Sequence, residues 1–457
     1  MKKQPPESEL QFDIGSTDDS LERMRELFAR HGDVYRVYAP GRKSWTYVIN
    51  HPDDVKRVLV SNHRNYTKGI GLDRVQILLG RGLMTSEGEF WKRQRYMMQP
   101  MFHRKVITEF ARVIDEANSR FVAKWEAQAA HGELVNVTED MSELTLEIVL
   151  HAIFGQDLER LAREPGGNPF DVVTKDQARN LQFAYKFRSL GKLIAQLMRR
   201  RRESGEECVD FIAMLMNSRD KETGAAMSER ELIDEIMTLV VAGHETTASG
   251  LNWTWYLLSQ HPDKEAKLHA EIDAAYQSAP SPPSPASGAG ENSVPSPAER
   301  GRASEGAPSL NQMEALPYTS NVINEALRLY PPGWLLSRRA IAADVLGGYE
   351  IPAGADVLLS PYMLHRHPKF WREPEAFRPE RFDAEHEAER PRFAYMPFAA
   401  GPRHCIGETF ALYEMSMHLY KVARRYRLTY VPDKPLEIEA QINLRTRYPL
   451  FMRLERR

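Results

Sequence analysis

The chain has 457 residues, 42% of them apolar, and a formal net charge of −2. That composition supports a large buried core and gives no global attraction to nucleic acid or other polyanions. Two cysteines exclude a disulfide framework and suit a reducing compartment, and no apolar run reaches the length of about twenty residues that a membrane span needs.

Residues 1–15 are polar and proline-bearing and read as an N-terminal tail without the apolar stretch of a signal peptide, so a cytoplasmic protein is expected. Residues 20–31 place Leu21, Met24, Leu27 and Phe28 on one helical face. Residues 34–38 and 45–49 read as strands joined by a turn at Pro40-Gly41, and a helix is expected over 53–60. The chain is then mainly helical to about residue 275. Residues 90–99 form a basic helix in which Trp91 and Arg95, four apart, share a face. Phe110, Ile114, Phe121 and Trp125, then Leu144, Ile148 and Val149, keep the helical period over 100–155. Gly166-Gly167-Asn168-Pro169 interrupts the next stretch. Residues 182–202 read as one helix ending in Arg199-Arg200-Arg201-Arg202, a solvated helix end.

Ser228-Glu229-Arg230-Glu231 is a capping box. Its helix runs to Gln260, before His261-Pro262, roughly 45–50 Å at 1.5 Å per residue. Residues 278–309 turn to serine, proline, alanine and glycine, with too few apolar side chains to offset ordering entropy, so a disordered insertion is expected there. Residues 318–330 form a helix stopped by Pro331-Pro332, with Glu325 and Arg328 on one face. Strands are expected around Val345, at 349–351 and at 357–359, with Gly347-Gly348 as a turn. Then come Pro379-Glu380-Arg381-Phe382, a loop ending in Cys405, a helix over 408–425 and short terminal strands.

Cys405 stands just before a helix N-terminus, whose free N–H groups and dipole favour thiolate over thiol. Gly401 and Gly407 allow positive φ and close approach to a flat partner. The plainer reading is a buried structural cysteine. Cys208 has no such setting and reads as an ordinary thiol.

Four motifs stand in order: Ala242-Gly243-His244-Glu245-Thr246-Thr247, Glu325-x-x-Arg328, Pro379-Glu380-Arg381-Phe382 and Phe398-x-x-Gly401-x-Arg403-x-Cys405-x-Gly407. Together they resemble the cytochrome P-450 family in its soluble bacterial form, and Trp91 with Arg95 extends the likeness over most of the chain. Many members carry an N-terminal membrane anchor, which is not expected here. The resemblance implies a predominantly α (α+β) cytochrome P-450 fold, with residues 16–457 as one catalytic domain. A helix-rich body and a smaller β-rich part would enclose haem b (iron protoporphyrin IX) between the central helix and the cysteine loop.

By the same resemblance Cys405 is the axial iron ligand, framed by Phe398 and Gly407, because a thiolate donates electron density that favours O–O cleavage. Arg403, Trp91, Arg95 and Arg338 would hold the haem propionates, with Arg339 the rival to Arg338. Glu325, Arg328 and Arg381 would form a structural charge network. Glu245 and Thr246 resemble an acid–alcohol pair that delivers protons to dioxygen, with Gly243 leaving room for it. The plainer readings are a salt-bridged glutamate and a hydroxyl bonded one turn back. His244 is expected to pack or bridge. Met84, Ala242 and Leu335 would line an apolar pocket, and the stretch 155–202 is short for the family's two roof helices.

The implied activity is monooxygenation of a small apolar organic substrate, by hydroxylation or epoxidation, with dioxygen as co-substrate. No redox domain fits in the chain, so electrons from NAD(P)H are expected through a ferredoxin or flavodoxin and its reductase. Lys92, Arg93, Arg403, Arg104 and Lys105 would suit such an acidic donor. No nucleic acid partner and no membrane span are expected. Two alternatives stay open: oxidative coupling or rearrangement without net oxygen insertion, and a non-enzymatic haem gas sensor or ligand carrier.

Overall fold

The structure is a computed structural model that describes residues 3–163, 169–175, 181–205, 208–278 and 307–457. Its helices of eleven residues or more are α1 (Ser20–His31), α2 (Gly88–Met98), α3 (Ala111–Ala130), α4 (Val137–Phe154), α5 (Leu181–Ser204), α6 (Glu229–Gln260), α7 (Pro262–Ser278), α8 (Pro317–Leu329) and α9 (Glu408–Ala423). The strands are β1 (Val34–Ala39), β2 (Ser44–Ile49), β3 (Tyr66–Lys68), β4 (Val135–Asn136), β5 (Leu336–Ala340), β6 (Asp344–Leu346), β7 (Tyr349–Ile351), β8 (Asp356–Leu359), β9 (Tyr426–Tyr430), β10 (Ile438–Ala440), β11 (Leu444–Thr446) and β12 (Phe451–Arg456).

Helix α6 organises the body. Its capping box is closed reciprocally: Glu231 N donates to Ser228 Oγ at 3.3 Å and Ser228 N to the Glu231 carboxylate at 2.7 Å. Most of its length is buried, on either side of a half-exposed stretch at 241–246, because α4, α8 and α9 pack around it. The main core lies among these helices, with Trp125, Phe154, Trp255 and Met417 inaccessible. A five-stranded sheet, in the order β1-β2-β8-β5-β3, forms the smaller part. β2 and β8 run parallel and the other pairs antiparallel.

Several expectations change. The polar tail is docked rather than free. Ser8 N donates to Arg36 O at 2.9 Å, Arg36 N to Pro6 O at 2.9 Å and Phe12 N to Tyr38 O at 3.1 Å, and Phe12 and Ile14 are buried. β1 is an edge strand, so its outer N–H and C=O groups need partners. The helix expected over 53–60 is split into Pro52–Lys56 and a π-helical turn, Arg57–Ser61. β5 has no counterpart among the strands expected from sequence, because Arg338-Arg339 breaks its apolar pattern.

Three arginines of the run, Arg199, Arg200 and Arg202, are exposed at the helix end as expected, and the fourth is not. Arg201 is buried. Its Nε donates to Asp157 Oδ2 at 2.6 Å, its Nη1 and Nη2 to Asp210 at 2.8 and 2.7 Å, and its Nη2 also to Phe154 O at 2.9 Å. Arg200 shares Asp157. The Gly166-Gly167-Asn168 break lies outside the described residues. So do 279–306, the greater part of the insertion expected at 278–309. Its flanks are anchored: Ser278 closes α7, and Tyr413 Oη donates to Pro308 O at 2.6 Å.

Candidate active site

The cysteine loop is held by its own backbone and by the π-helical turn. Cys405 N donates to Phe398 O at 2.9 Å. Gly401 has φ +72°, and a Cβ there would stand 2.0 Å from Leu59 O, so only glycine fits. Gly407 differs from expectation. Its φ is −91°, and it caps α9. What it provides is space: the nearest described atom to a Cβ would be Phe102 Cε1 at 4.0 Å. Cys405 is exposed to a solvent-sized sphere, yet the surrounding protein pushes its thiol up. Such a side chain faces an internal space. The N–H groups of Gly407 and Glu408 and the charge of Arg95 pull the other way but are outweighed. Burial thus opposes the thiolate bias expected from the helix end, and the charge of a bound metal would favour the thiolate again.

Beside the loop lies a cluster of cations. The Arg403 guanidinium sits 4.2 Å from the Trp91 ring centroid and pairs with Glu87. Arg95 Nη1 donates to His404 O at 2.9 Å. Arg338, 8% exposed, donates from Nη1 to Ser337 O at 2.8 Å. Burial and then Arg403 push its pKa down to about 10. Its rival Arg339 is committed to Asp356, at 2.9 and 3.0 Å. Lys68, which motif reasoning missed, lies across from Arg338 in the β3–β5 register. Burial and Arg403 push it down to about 7. A lone lysine in a three-residue strand carries no sequence signal; only the pairing with β5 places it here.

Lys68, Arg338 and Arg403 thus surround one carboxylate, Glu87, and Arg403 Nη1 is buried without a partner among the described residues. Two further carboxylates would complete this set. Haem b carries two propionates, and Gly407 and the accessible sulfur leave room beside the loop. The residues fit haem b: Cys405 would take the iron, and Arg403, Arg338, Lys68, Trp91 and Arg95 the propionate side.

The centre of α6 is half-exposed at Ala242, Gly243, Glu245 and Thr246, within a helix otherwise buried there. Thr246 Oγ1 donates to Ala242 O at 2.8 Å. Glu245 accepts from Asn443 Nδ2 at 3.1 Å and lies 3.6 Å from Arg445 Nη1. Both plainer readings therefore describe real contacts. They leave Thr246 Oγ1 free to accept a hydrogen bond. His244 bridges α6 to α4 through Ser142 Oγ at 2.8 Å, as expected. Gly243 also has a packing reason: a Cβ would meet Val149 Cγ2 at 2.9 Å, so glycine lets α6 approach α4. Met84 is half-buried against the main core, and Leu335 against the core under α1.

Behind the site, every N–H of Arg328 is used. Nε and Nη2 meet Glu325 at 2.6 and 2.8 Å, and Nη1 and Nη2 reach the carbonyls of His365, Pro374 and Ala376. Arg381 Nε adds a contact to Glu325 at 3.2 Å. His365, also missed from sequence, links this network to the cysteine loop. Its Nδ1 lies 3.3 Å from Arg328 O, and its Nε2 accepts Met396 N–H at 2.9 Å. The basic face is not bare: Lys92 pairs with Glu89, Arg93 with Glu231 and Arg104 with Glu314, while Arg403 faces inward.

A family profile described as Cytochrome P450 matches residues 9–166 and 169–451. Cyclooctatin synthase of Streptomyces melanosporofaciens is 32% identical over 442 residues, covering 92% of this chain and 88% of that protein. Cyclooctat-9-en-7-ol 5-monooxygenase of the same organism is 30% identical over 423 residues, 89% of this chain and 84% of that protein. The solved structure of a cytochrome P450DA heme domain shares the fold, with a TM-score of 0.83 at 23% identity, covering 100% of this chain and 98% of that one. Among the described residues, no helix is long and apolar enough to cross a membrane.

Proposed function

This chain belongs to the cytochrome P450 family, and we propose that it oxygenates an apolar terpenoid skeleton, an olefinic hydrocarbon or alkenol, with electrons from a ferredoxin or flavodoxin. It is a monooxygenase. Haem b, when bound, supplies the activation of dioxygen, with electrons that the family draws from NAD(P)H through a redox partner. The observation that carries the reading is Cys405: an accessible sulfur inside the protein, next to a cationic cluster short of carboxylates. The substrate class rests on the name of one relative, which speaks of an alkenol.

The chain's own residues divide the work. Arg403, Arg338 and Lys68 would neutralise carboxylates, and the Trp91 ring lies over the Arg403 guanidinium. Glu245, tethered by Asn443 and the half-exposed Arg445, can collect a proton from solvent at its carboxylate. Thr246 Oγ1, with its own proton donated to Ala242 O, accepts from a water that passes that proton inward.

The test combines two measurements. Reduced protein with carbon monoxide should show the absorption typical of thiolate-bound haem, and Cys405→Ala should lose it. Terpenoid hydrocarbons and alkenols should shift the haem spin state, and the product should carry one atom of labelled dioxygen. Response to fatty acids alone would overturn the substrate class. A product without the label would assign coupling or rearrangement instead.

A further inference from the structure

Helix α6 carries two adjacent buried carboxyls, Asp234 and Glu235, that oxygen chemistry does not use. Both accept backbone N–H groups from one loop, residues 80–86. Arg81 N donates to Asp234 Oδ2 and Leu83 N to Glu235 Oε2, each at 2.8 Å. The loop presses on the helix as only glycine permits. A Cβ at Gly80, which has φ +68°, would stand 2.2 Å from Asp234 Oδ1, and one at Gly82 would stand 2.1 Å from Thr238 Oγ1. Thr85 Oγ1 closes the loop on itself, donating to Gly80 O at 2.7 Å.

The other side of the loop is held by Lys68. Its Nζ donates to Leu83 O at 2.9 Å and to Ser86 O at 2.8 Å, and its backbone N donates to Glu87 Oε1 at 2.6 Å. Leu83 is thus bonded through N–H to the helix and through C=O to the lysine. The loop lies between the cationic cluster and α6. It reaches α6 at Thr238, one helical turn (about 6 Å) before Ala242, where the half-exposed stretch begins.

We propose that Asp234, Glu235 and Lys68 are positioning residues that clamp loop 80–86 and, through the half-buried Leu83 and Met84, set the size of apolar substrate the site accepts. This rests on the monooxygenase reading, with substrate beside Ala242. The chemistry suits a rigid clamp. Burial pushes Glu235 up to about 8, so near neutrality it bonds Leu83 N–H as a neutral acid. Two adjacent carboxyls can then share one loop without the full repulsion of two charges. Glutamine reproduces a neutral acid's acceptor oxygen and leucine does not, so the pair of substitutions separates hydrogen bonding from volume.

The experiment uses full-length holoenzyme as wild type, Glu235→Gln, Glu235→Leu and Gly82→Ala, the last of which pushes the loop off Thr238 without changing charge. Hydrogen exchange is followed over 80–86, and spin-state titrations use a size-graded series of cyclic hydrocarbons. Loss of one buried hydrogen bond should speed exchange of the loop about tenfold in Glu235→Leu and Gly82→Ala and leave Glu235→Gln near wild type. The ratio of affinities for small and large ligands should change about tenfold in the same two variants, with the carbon monoxide spectrum intact. Unchanged exchange in Gly82→Ala, or faster exchange with an unchanged size ratio, overturns the clamp. A wild type blind to every apolar ligand overturns the substrate reading instead, while exchange still reports on the clamp. If Glu235→Leu does not fold, Gly82→Ala decides alone.

Discussion

The Thr246 hydroxyl donates to the Ala242 carbonyl at 2.8 Å, within its own helix. Its proton is therefore engaged, and its lone pairs are what it offers to a water. Thr246→Ala keeps helix propensity and removes only this acceptor. Haem binding, substrate binding and electron-donor consumption should persist. Product per electron should fall about tenfold, equivalent to about 1.4 kcal/mol of relative barrier, with hydrogen peroxide making up the difference. Glu245→Gln should instead slow the whole cycle. Product, peroxide and cofactor measured in one assay decide it; unchanged coupling in Thr246→Ala removes Thr246 from the proton path.

The buried cations predict how tightly the cofactor stays. Arg338→Gln removes a charge, and Lys68→Met an amine pushed down to about 7, from a cluster in which Glu87 is already paired with Arg403, so each should speed haem transfer to an acceptor protein. A charged, partly desolvated hydrogen bond is worth about 1.5–3 kcal/mol, or roughly ten- to a hundredfold in rate. Arg339→Gln, whose partner is Asp356, should change the rate less than about twofold. Equal effects of Arg338→Gln and Arg339→Gln would reopen the choice between them.

His365 gives a pH dependence with a definite sign. Burial, reinforced by Arg328, pushes its pKa down to about 3 from an ordinary 6.5. Between those values the unfolded chain takes a proton that the folded one refuses, so stability is full above pH 6.5 and is lost as pH falls. The slope is at most about 1.4 kcal/mol per pH unit. His418, pushed down to about 3, adds a parallel loss, so the variant must be compared with wild type. Urea midpoints at pH 7 and pH 5 should differ less in His365→Gln than in wild type, by about 1–2 kcal/mol in stability. Equal differences would show that His365 is not the group.

Residues 279–306 join Ser278, at the end of α7, to Ala307, before the anchored Pro308. Their composition offers few core-forming side chains. Deleting residues 281–305 should leave haem content and the carbon monoxide spectrum unchanged, since each halving of a loop alters closure entropy by only about 0.6 kcal/mol, or about 2 kcal/mol for this deletion. A deletion protein that fails to take up haem would make the segment part of the fold.

Features legible in the sequence were those in which neighbours along the chain decide the outcome. The capping box at Ser228 and Glu231 involves residues three apart, so α6 begins where the pattern says it does. The Glu325–Arg328 pair likewise meets on one helical face. The cysteine loop shows its glycines and its following helix in linear order, and its family likeness is carried by those same residues.

Tertiary structure decided whatever depends on the partner across a gap. Arg338 and Arg339 are adjacent in sequence and alternate across a strand, so only the sheet's orientation sends one into the cluster and the other to Asp356. Lys68 joins that cluster through the β3–β5 register, and Arg201 leaves its apparent surface run because two aspartates wait in the interior. Gly243 is glycine because Val149 of another helix stands in the way of a Cβ. Cys405 shows the same division most plainly. Helix-end electrostatics, readable in sequence, favour its thiolate; desolvation, which arises only once the chain has packed around it, pushes the thiol's pKa the other way.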